Sequence, residues 1–568
     1  VGRPAREGSP EDAATALPAL DVLRAEALAL RAGGDTGRAQ TVSVLIARAR
    51  VLTRLAEAAT EEDEGRDGPD GRASDGARDA AYQALRELLD VAYETGDDAA
   101  LPHATSGDDA TSAHDATSAH GATSAHARDG ATARPLDGRG VVIAARVTEA
   151  HARLAGLAHL RGDLKEAAEQ HARGARVAEE AALTWYAADA HTRLSELSLH
   201  LGDVETGVRS ARAALAHGAP HADAAAHTRL RLLLADALTR NGQDEEAAEH
   251  ALEATHWADS VPQGEGLAAW ARFRLGGLLL GQGRVEEAAV ILEAALTGLD
   301  AERHGDGAVV QARWWLGDCH RRLGEPREAA EAYLLAAELA QHWPAQRDHA
   351  VLANLAADAL GDAGLREGAE RAYARAGELW LDVGNPLAHV RTLRARAWLH
   401  AADESDDATE RALAFMDEAT SVGETLLTEP PFAEVSEARS QAYAELARTY
   451  AQHAEILGDT LADEDANEGD SAPDAEFRAV REEALGLARR AIDAFGTAGP
   501  EHVLERSGAR LTAAWFCVAL GLVREARALA GTVRETHAAD ESPGGQARAA
   551  AAEQVLAATS ARAREENA

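Results

Sequence analysis

Lysine is nearly missing from this chain. Of the 57 basic residues among 568, one is Lys (Lys165) and the rest are Arg, set against 95 acidic residues for a formal net charge of −38. Lys165 sits in Gly-Asp-Leu-Lys-Glu-Ala-Ala, so no GxxxxGK[ST] phosphate loop exists, and neither a Schiff-base lysine nor a Ser-x-x-Lys pair is available. Cysteine is as scarce. Cys319 and Cys517 stand about 200 positions apart, each in an apolar helical pattern, which excludes a disulfide framework and reads as two reduced core thiols. No run of about 18 apolar residues is present, so no transmembrane helix is expected. The first twenty residues hold no apolar leader, and no secretory signal is expected. A cytoplasmic location fits these absences. The charge argues against nucleic acid, whose phosphates need clustered Lys/Arg, and against an anionic membrane surface. HExxH, GxSxG and CxxC are all absent, and His320 beside Cys319 has no constellation around it, so no catalytic activity is expected. The strong preference for Arg is typical of GC-rich bacterial genomes. The chain starts at Val1 and its one Met is Met416, which fits either an unusual start codon or upstream domains outside this sequence.

What is abundant is alanine. Hydrophobic residues reach 46% while aromatics are 4%. Alanine is the best helix former and loses no side-chain entropy, so the composition predicts many thin, closely packed helices.

From about residue 143 the sequence repeats itself. An apolar residue followed by a small one recurs at Leu154–Ala155, Leu194–Ser195, Leu234–Ala235, Leu275–Gly276, Leu316–Gly317 and Ala356–Ala357, a step of 40 or 41. Eight residues after each apolar position stands a glycine: Gly162, Gly202, Gly242, Gly283, Gly324 and Gly364. Five further on is a small residue (Ala167, Gly207, Ala247, Ala288, Ala329, Ala369), and seven beyond that another (Gly174, Ala214, Ala254, Ala295, Ala336, Ala376). Glycine supplies the positive φ that ends the first helix of each unit. The small residues let the second helix approach the first closely. A lone hairpin cannot bury both faces, so neighbouring hairpins must stack.

This pattern resembles the tetratricopeptide repeat (TPR) family, well over 143–400 and loosely over 400–537. It departs from that family in its period, which is usually about 34, and in lacking the closing Pro. The long-period TPR-like arrays of bacterial regulators are the nearer likeness. The resemblance implies an all-α, right-handed superhelical solenoid, working as a protein-interaction scaffold that takes a peptide or partner helix in a concave groove. In the family, groove residues lie five and two positions before the apolar residue and two and five after it. Carried over, these include Arg229, Leu232, Asp236 and Thr239; Trp270, Phe273, Gly277 and Leu280; Gln311, Trp314, Asp318 and Arg321; and Val351, Asn354, Asp358 and Gly361. Arg274 lies beside them. Trp270, Phe273, Trp314 and Trp315 concentrate rings in two adjacent hairpins, and Trp and Arg are favoured binding anchors. Rings of this kind also serve as fillers between helices. The clamp by which chaperone-binding TPR domains hold a C-terminal carboxylate depends on lysines and is absent. The alternative function is the sensor half of a larger bacterial signalling or transcription-regulator protein.

The expected organisation is a helical hairpin at 1–60, an acidic linker at 61–78, a helix at 79–96 and a disordered insertion at 97–138. The core array follows at 139–400, then irregular repeats at 401–537 with an acidic insertion at 461–476, and a linker with a capping helix at 538–568. His103, His114, His120 and His126 recur in near-copies of one hexapeptide, a spacing produced by tandem duplication rather than by metal ligation. The run Asp463, Asp465, Asn467 has Glu468 and Asp474 where a calcium loop needs Gly and Glu. No metal and no cofactor is therefore expected, and the partner is expected to be a protein or peptide.

Overall fold

A computed structural model describes residues 10–30, 35–64, 72–93, 138–262, 264–403, 407–465 and 475–565. Among them every regular element is helical and no strand occurs. The chain forms two compact units, Val1–Arg284 and Val285–Ala568, with the division inside the fourth repeat.

The first unit contains α1 (Pro10–Leu30), α2 (Asp35–Glu64), α3 (Arg72–Tyr93), α4 (Gly138–Leu160), α5 (Leu164–Glu180), α6 (Thr184–His200), α7 (Val204–Gly218), α8 (Ala224–Arg240), α9 (Asp244–Asp259) and α10 (Glu265–Gly281). The second holds α11 (Val285–Leu296), the short α12 (Ala301–His304), α13 (Asp306–Leu323), α14 (Pro326–Ala340), α15 (Arg347–Asp362), α16 (Arg366–Asp382), α17 (Pro386–Ala401) and α18 (Ala408–Leu426). It continues with α19 (Ser436–Asp465), α20 (Ala475–Ala498), α21 (Val503–Ala519), α22 (Val523–Thr536) and α23 (Pro543–Glu565).

The turn chemistry explains the hairpins. All six repeat glycines are left-handed, with φ between +72° at Gly242 and +82° at Gly202. The next residue stands just before the second helix, at its N-cap. Asp163 accepts a hydrogen bond from the Glu166 amide at 3.0 Å, and Asp203 from that of Thr206 at 3.1 Å, satisfying amides that the helix leaves unpaired. Ala182, in the turn between α5 and α6, takes the same backbone region at φ +54° without being glycine, which costs about 1–2 kcal/mol.

All twelve small positions of the second helices are buried, as are the six apolar positions and their small neighbours. Each fully buried Leu in this set, such as Leu154, contributes about 1.5–3 kcal/mol. Helices pack on their sequence neighbours in each unit, except that α11 packs on α13 past the short α12. First helices of successive hairpins also touch: α4–α6, α6–α8 and α8–α10 in one unit, α15–α17, α17–α19 and α19–α21 in the other. That serial contact is the hallmark of a solenoid. The loosely repeating part obeys it too: α17 pairs with α18, α19 with α20, and α21 with α22 around Gly521 at φ +75°. The closing α23 packs on both α21 and α22.

Two stretches differ from the sequence expectation. Residues 61–64 and 72–78, expected as linker, are helical ends of α2 and α3. Helix α19 runs into the acidic insertion as far as Asp465 and α20 begins at Ala475. The expected insertion at 97–138 lies, except for Gly138, outside the described residues, and so do His103, His114, His120 and His126.

Candidate partner-binding surface

In the second unit the first helices of the hairpins carry a polar ladder. Tyr333 of α14 is fully buried, and its hydroxyl donates to Asp318 Oδ1 on α13 at 2.6 Å. Forty residues later the arrangement recurs: Tyr373 of α16 donates to Asp358 Oδ1 on α15 at 2.5 Å. Asn354 adds a 3.4 Å bond from Nδ2 to Asp358 Oδ2, and Thr392 on α17 donates to Asn354 Oδ1 at 2.8 Å. Burial raises the Asp358 carboxyl above its ordinary 3.8, the Tyr373 hydroxyl opposing it. Burial and the neighbouring carboxylate push the Tyr333 and Tyr373 phenols well up, so both stay protonated donors. Arg321, half exposed, lies 3.9 Å from Asp318.

The ladder continues onto a second cluster. Glu445 of α19 is buried and receives three arginines. Arg394 NH2 meets Oε2 at 2.8 Å, while Arg391 Nε and Arg448 NH1 both reach Oε1 at 2.9 Å. Arg394 NH1 also donates to the Glu445 carbonyl at 3.1 Å. Burial alone would raise the Glu445 carboxyl, but the guanidinium groups of Arg394 and Arg391 outweigh it and hold the group below its ordinary 4.5. Arg448 passes on to Glu505 at 2.8 Å, which His502 Nδ1 approaches at 2.6 Å. Beside this cluster opens a cavity of about 680 Å³, lined by Arg391, Ser436, Gln441, Arg448 and His502 among others. The Arg391 side chain is 57% exposed and held in direction by Glu445.

The residues singled out from sequence fall into three groups. Asp318, Arg321, Asn354 and Asp358 lie in the ladder just described. Trp314 is half-buried and packs on the core cluster that contains Tyr333 and Leu352. Gln311, Trp315, Val351 and Gly361 are also in the second unit, each of intermediate burial, and the others belong to the first. There Arg229 is exposed, and Asp236 pairs with Arg274. Trp270 is half-buried against Leu232, Ala254 and Ala271, and its ring lies 5.3 Å from that of Phe273. Phe273 itself is 5% exposed and belongs to the core, as do the groove positions Leu232 and Leu280. In an alanine-rich array a large ring fills the space that small neighbours leave.

Arg391, Arg394, Glu445 and Arg448 were not singled out from sequence. A signal existed: forty residues beyond Val351 and Asn354 stand Arg391 and Arg394, the same two positions of the next hairpin. Exposed rings were missed as well, Trp185 and Trp515 foremost.

No family profile matches the chain, and no curated protein matches it. Solved structures do. The C-terminal part of a TPR repeat-containing protein from Cytophaga hutchinsonii is 14% identical, over 48% of this chain and 95% of that one, with a TM-score of 0.37. A signal-transduction ATPase with a tetratricopeptide repeat sensor, from Pyrococcus horikoshii, is 13% identical over 63% of this chain and 50% of its own, with a TM-score of 0.38. The apo form of the quorum sensor NprR from B. thuringiensis is 14% identical over 70% and 99%, with a TM-score of 0.35. By their forty-residue hairpins, left-handed turn glycines and serial packing, the described residues of each unit form an all-α stack of helical hairpins, similar to TPR repeats.

Proposed function

We infer that the chain is a non-catalytic interaction scaffold that binds a protein segment along the first-helix face of its second unit. The observation that carries this reading is the Arg391–Arg394–Glu445–Arg448 cluster beside its cavity, with Arg391 and Arg394 at positions the forty-residue step assigns to the groove. Three guanidinium groups share one carboxylate there, so donor capacity remains for a main-chain carbonyl or an acidic side chain of the partner. The net charge of −38 favours a partner of basic or mixed charge and speeds encounter at low salt. The two thiols offer no nucleophile, since burial pushes both Cys319 and Cys517 up to about 11. Among the described residues no helix is long and apolar enough to cross a membrane.

The test is affinity capture from native lysate with partner recovery quantified by mass spectrometry. Arg391→Ala combined with Arg321→Ala is expected to cut recovery of a specific partner at least tenfold without loss of helicity, because Glu445 keeps Arg394 and Arg448. Arg371→Ala, on the second-helix face and 77% exposed, is expected to leave recovery unchanged. Equal recovery from the first variant and from wild type contradicts the assignment.

A further inference from the structure

Three side chains on three consecutive helices of the first unit converge without any role in the polar ladder. Glu179 lies at the C-terminal end of α5, His191 in the middle of α6 and His217 near the end of α7. Both imidazoles aim Nε2 at the same carboxylate oxygen: His191 Nε2 is 2.9 Å from Glu179 Oε1, and His217 Nε2 is 3.2 Å from it. The rings lie parallel, 5° apart in plane with centroids 6.0 Å apart, so the packing of α6 on α7 already fixes their directions. The three candidate ligand atoms all fall within 4.8 Å of one another.

The geometry points to a divalent transition-metal site of the zinc type formed by Glu179, His191 and His217. Two imidazole nitrogens and a carboxylate are a donor set that suits zinc and its neighbours rather than calcium or magnesium. Zinc holds such ligands at about 2.0–2.2 Å, which places tetrahedral ligand atoms about 3.3–3.4 Å apart. The observed 2.9 and 3.2 Å need to open by only a few tenths of an ångström. Glu179 and His217 retain 37% and 30% side-chain exposure, against 13% for His191, so the ion has a path of entry and keeps a fourth position for water. His191 Nδ1 is buried without a hydrogen-bond partner. The outer-shell acceptor that orients most zinc-bound imidazoles is therefore not supplied at that ring, and an affinity about 10–100-fold below that of a fully supported site is expected. No local spacing announces this site, because its ligands stand 12 and 26 residues apart along three helices. The sequence expectation of no metal is what this proposal revises.

The experiment titrates the full chain with Zn2+ against a chromogenic chelator, with Co2+ visible absorption as a second readout. Other histidines are the competing source of binding, above all His103, His114, His120 and His126. Three variants separate them: His191→Ala with His217→Ala, Glu179→Gln alone, and a chain with the four tandem histidines replaced by Ala. The proposal expects one saturable equivalent in the tandem-histidine variant, with a Zn2+-dependent rise in Tm that chelator reverses. It expects at least tenfold weaker binding in the double His variant and in Glu179→Gln, whose near-isosteric amide guards against a loss of folding. Binding that survives in the double His variant, or vanishes only with the four tandem histidines, overturns it. The same holds if wild type shows no saturable Zn2+ binding.

Discussion

Glu445→Ala is expected to lower the stability of the second unit by about 3–5 kcal/mol, the usual effect of removing one partner from a buried ion pair. The reason lies in Arg394, whose side chain is 10% exposed and whose NH2 has its bond at 2.8 Å to the lost carboxylate. Arg391 is exposed enough to be rehydrated, but Arg394 is not, so its charge would stay buried with only the Glu445 carbonyl as acceptor. Glu445→Gln should cost less, because an amide oxygen can still accept one of the three arginines. The linkage to pH follows from the direction of the carboxyl shift. Its folded value lies below its ordinary one, so the cluster's contribution is fully present above about pH 4.5 and is lost as pH falls through the folded value. Urea denaturation at neutral pH and again below pH 4 checks both parts: the wild type and Glu445→Gln should converge in stability at the lower pH. Parallel curves at the two values contradict the account.

The second large effect is expected at Tyr333. Its ring is fully buried, and a Cβ added at Gly317 would stand 2.6 Å from Cε1, 2.7 Å from Cδ1 and 2.9 Å from Cζ. The ring cannot swing away freely, since its hydroxyl is fixed on Asp318. Tyr333→Ala is expected to cost about 3–5 kcal/mol through the cavity it leaves. Gly317→Ala should cost about 1–3 kcal/mol by overpacking, although alanine is the better helix former. In the Tyr333→Ala background the sign reverses: the new methyl group enters the vacated space, and Gly317→Ala becomes stabilising by roughly 1 kcal/mol. A double-mutant cycle read by calorimetry measures that coupling; simple additivity would show that the close approach is not what requires glycine at 317.

The hairpin array was legible because its constraints are steric and strict. A left-handed turn favours glycine, and a close helix approach admits only small side chains, so Gly162 through Gly364 and Ala167 through Ala376 announced themselves by type and spacing. The site was legible only in part. Asp318 and Asp358 were singled out by their register, but their partners Tyr333 and Tyr373 lie on second helices, where ring and carboxylate meet only after packing. Phe273 fits a groove position by count and yet fills the core, because the spacing rule gives a helical face and does not say which neighbour covers it. Arg391 and Arg394 keep the forty-residue step. Their partner Glu445 does not, since α19 starts at Ser436, about ten residues later than one further step from Pro386 would place it, and the register shifts before the helix begins. Glu179, His191 and His217 share no register at all, and only the folded arrangement brings them together.

Site-specific photocrosslinking tests the scaffold reading most directly. A photoreactive residue at 441, exposed at the lip of the polar cavity, is compared in native lysate with one at 371, exposed on the second-helix face. The account predicts a discrete adduct with one partner from position 441, reduced by Arg391→Ala, and none from position 371. Adducts from 371 alone, or none from either position, would contradict it.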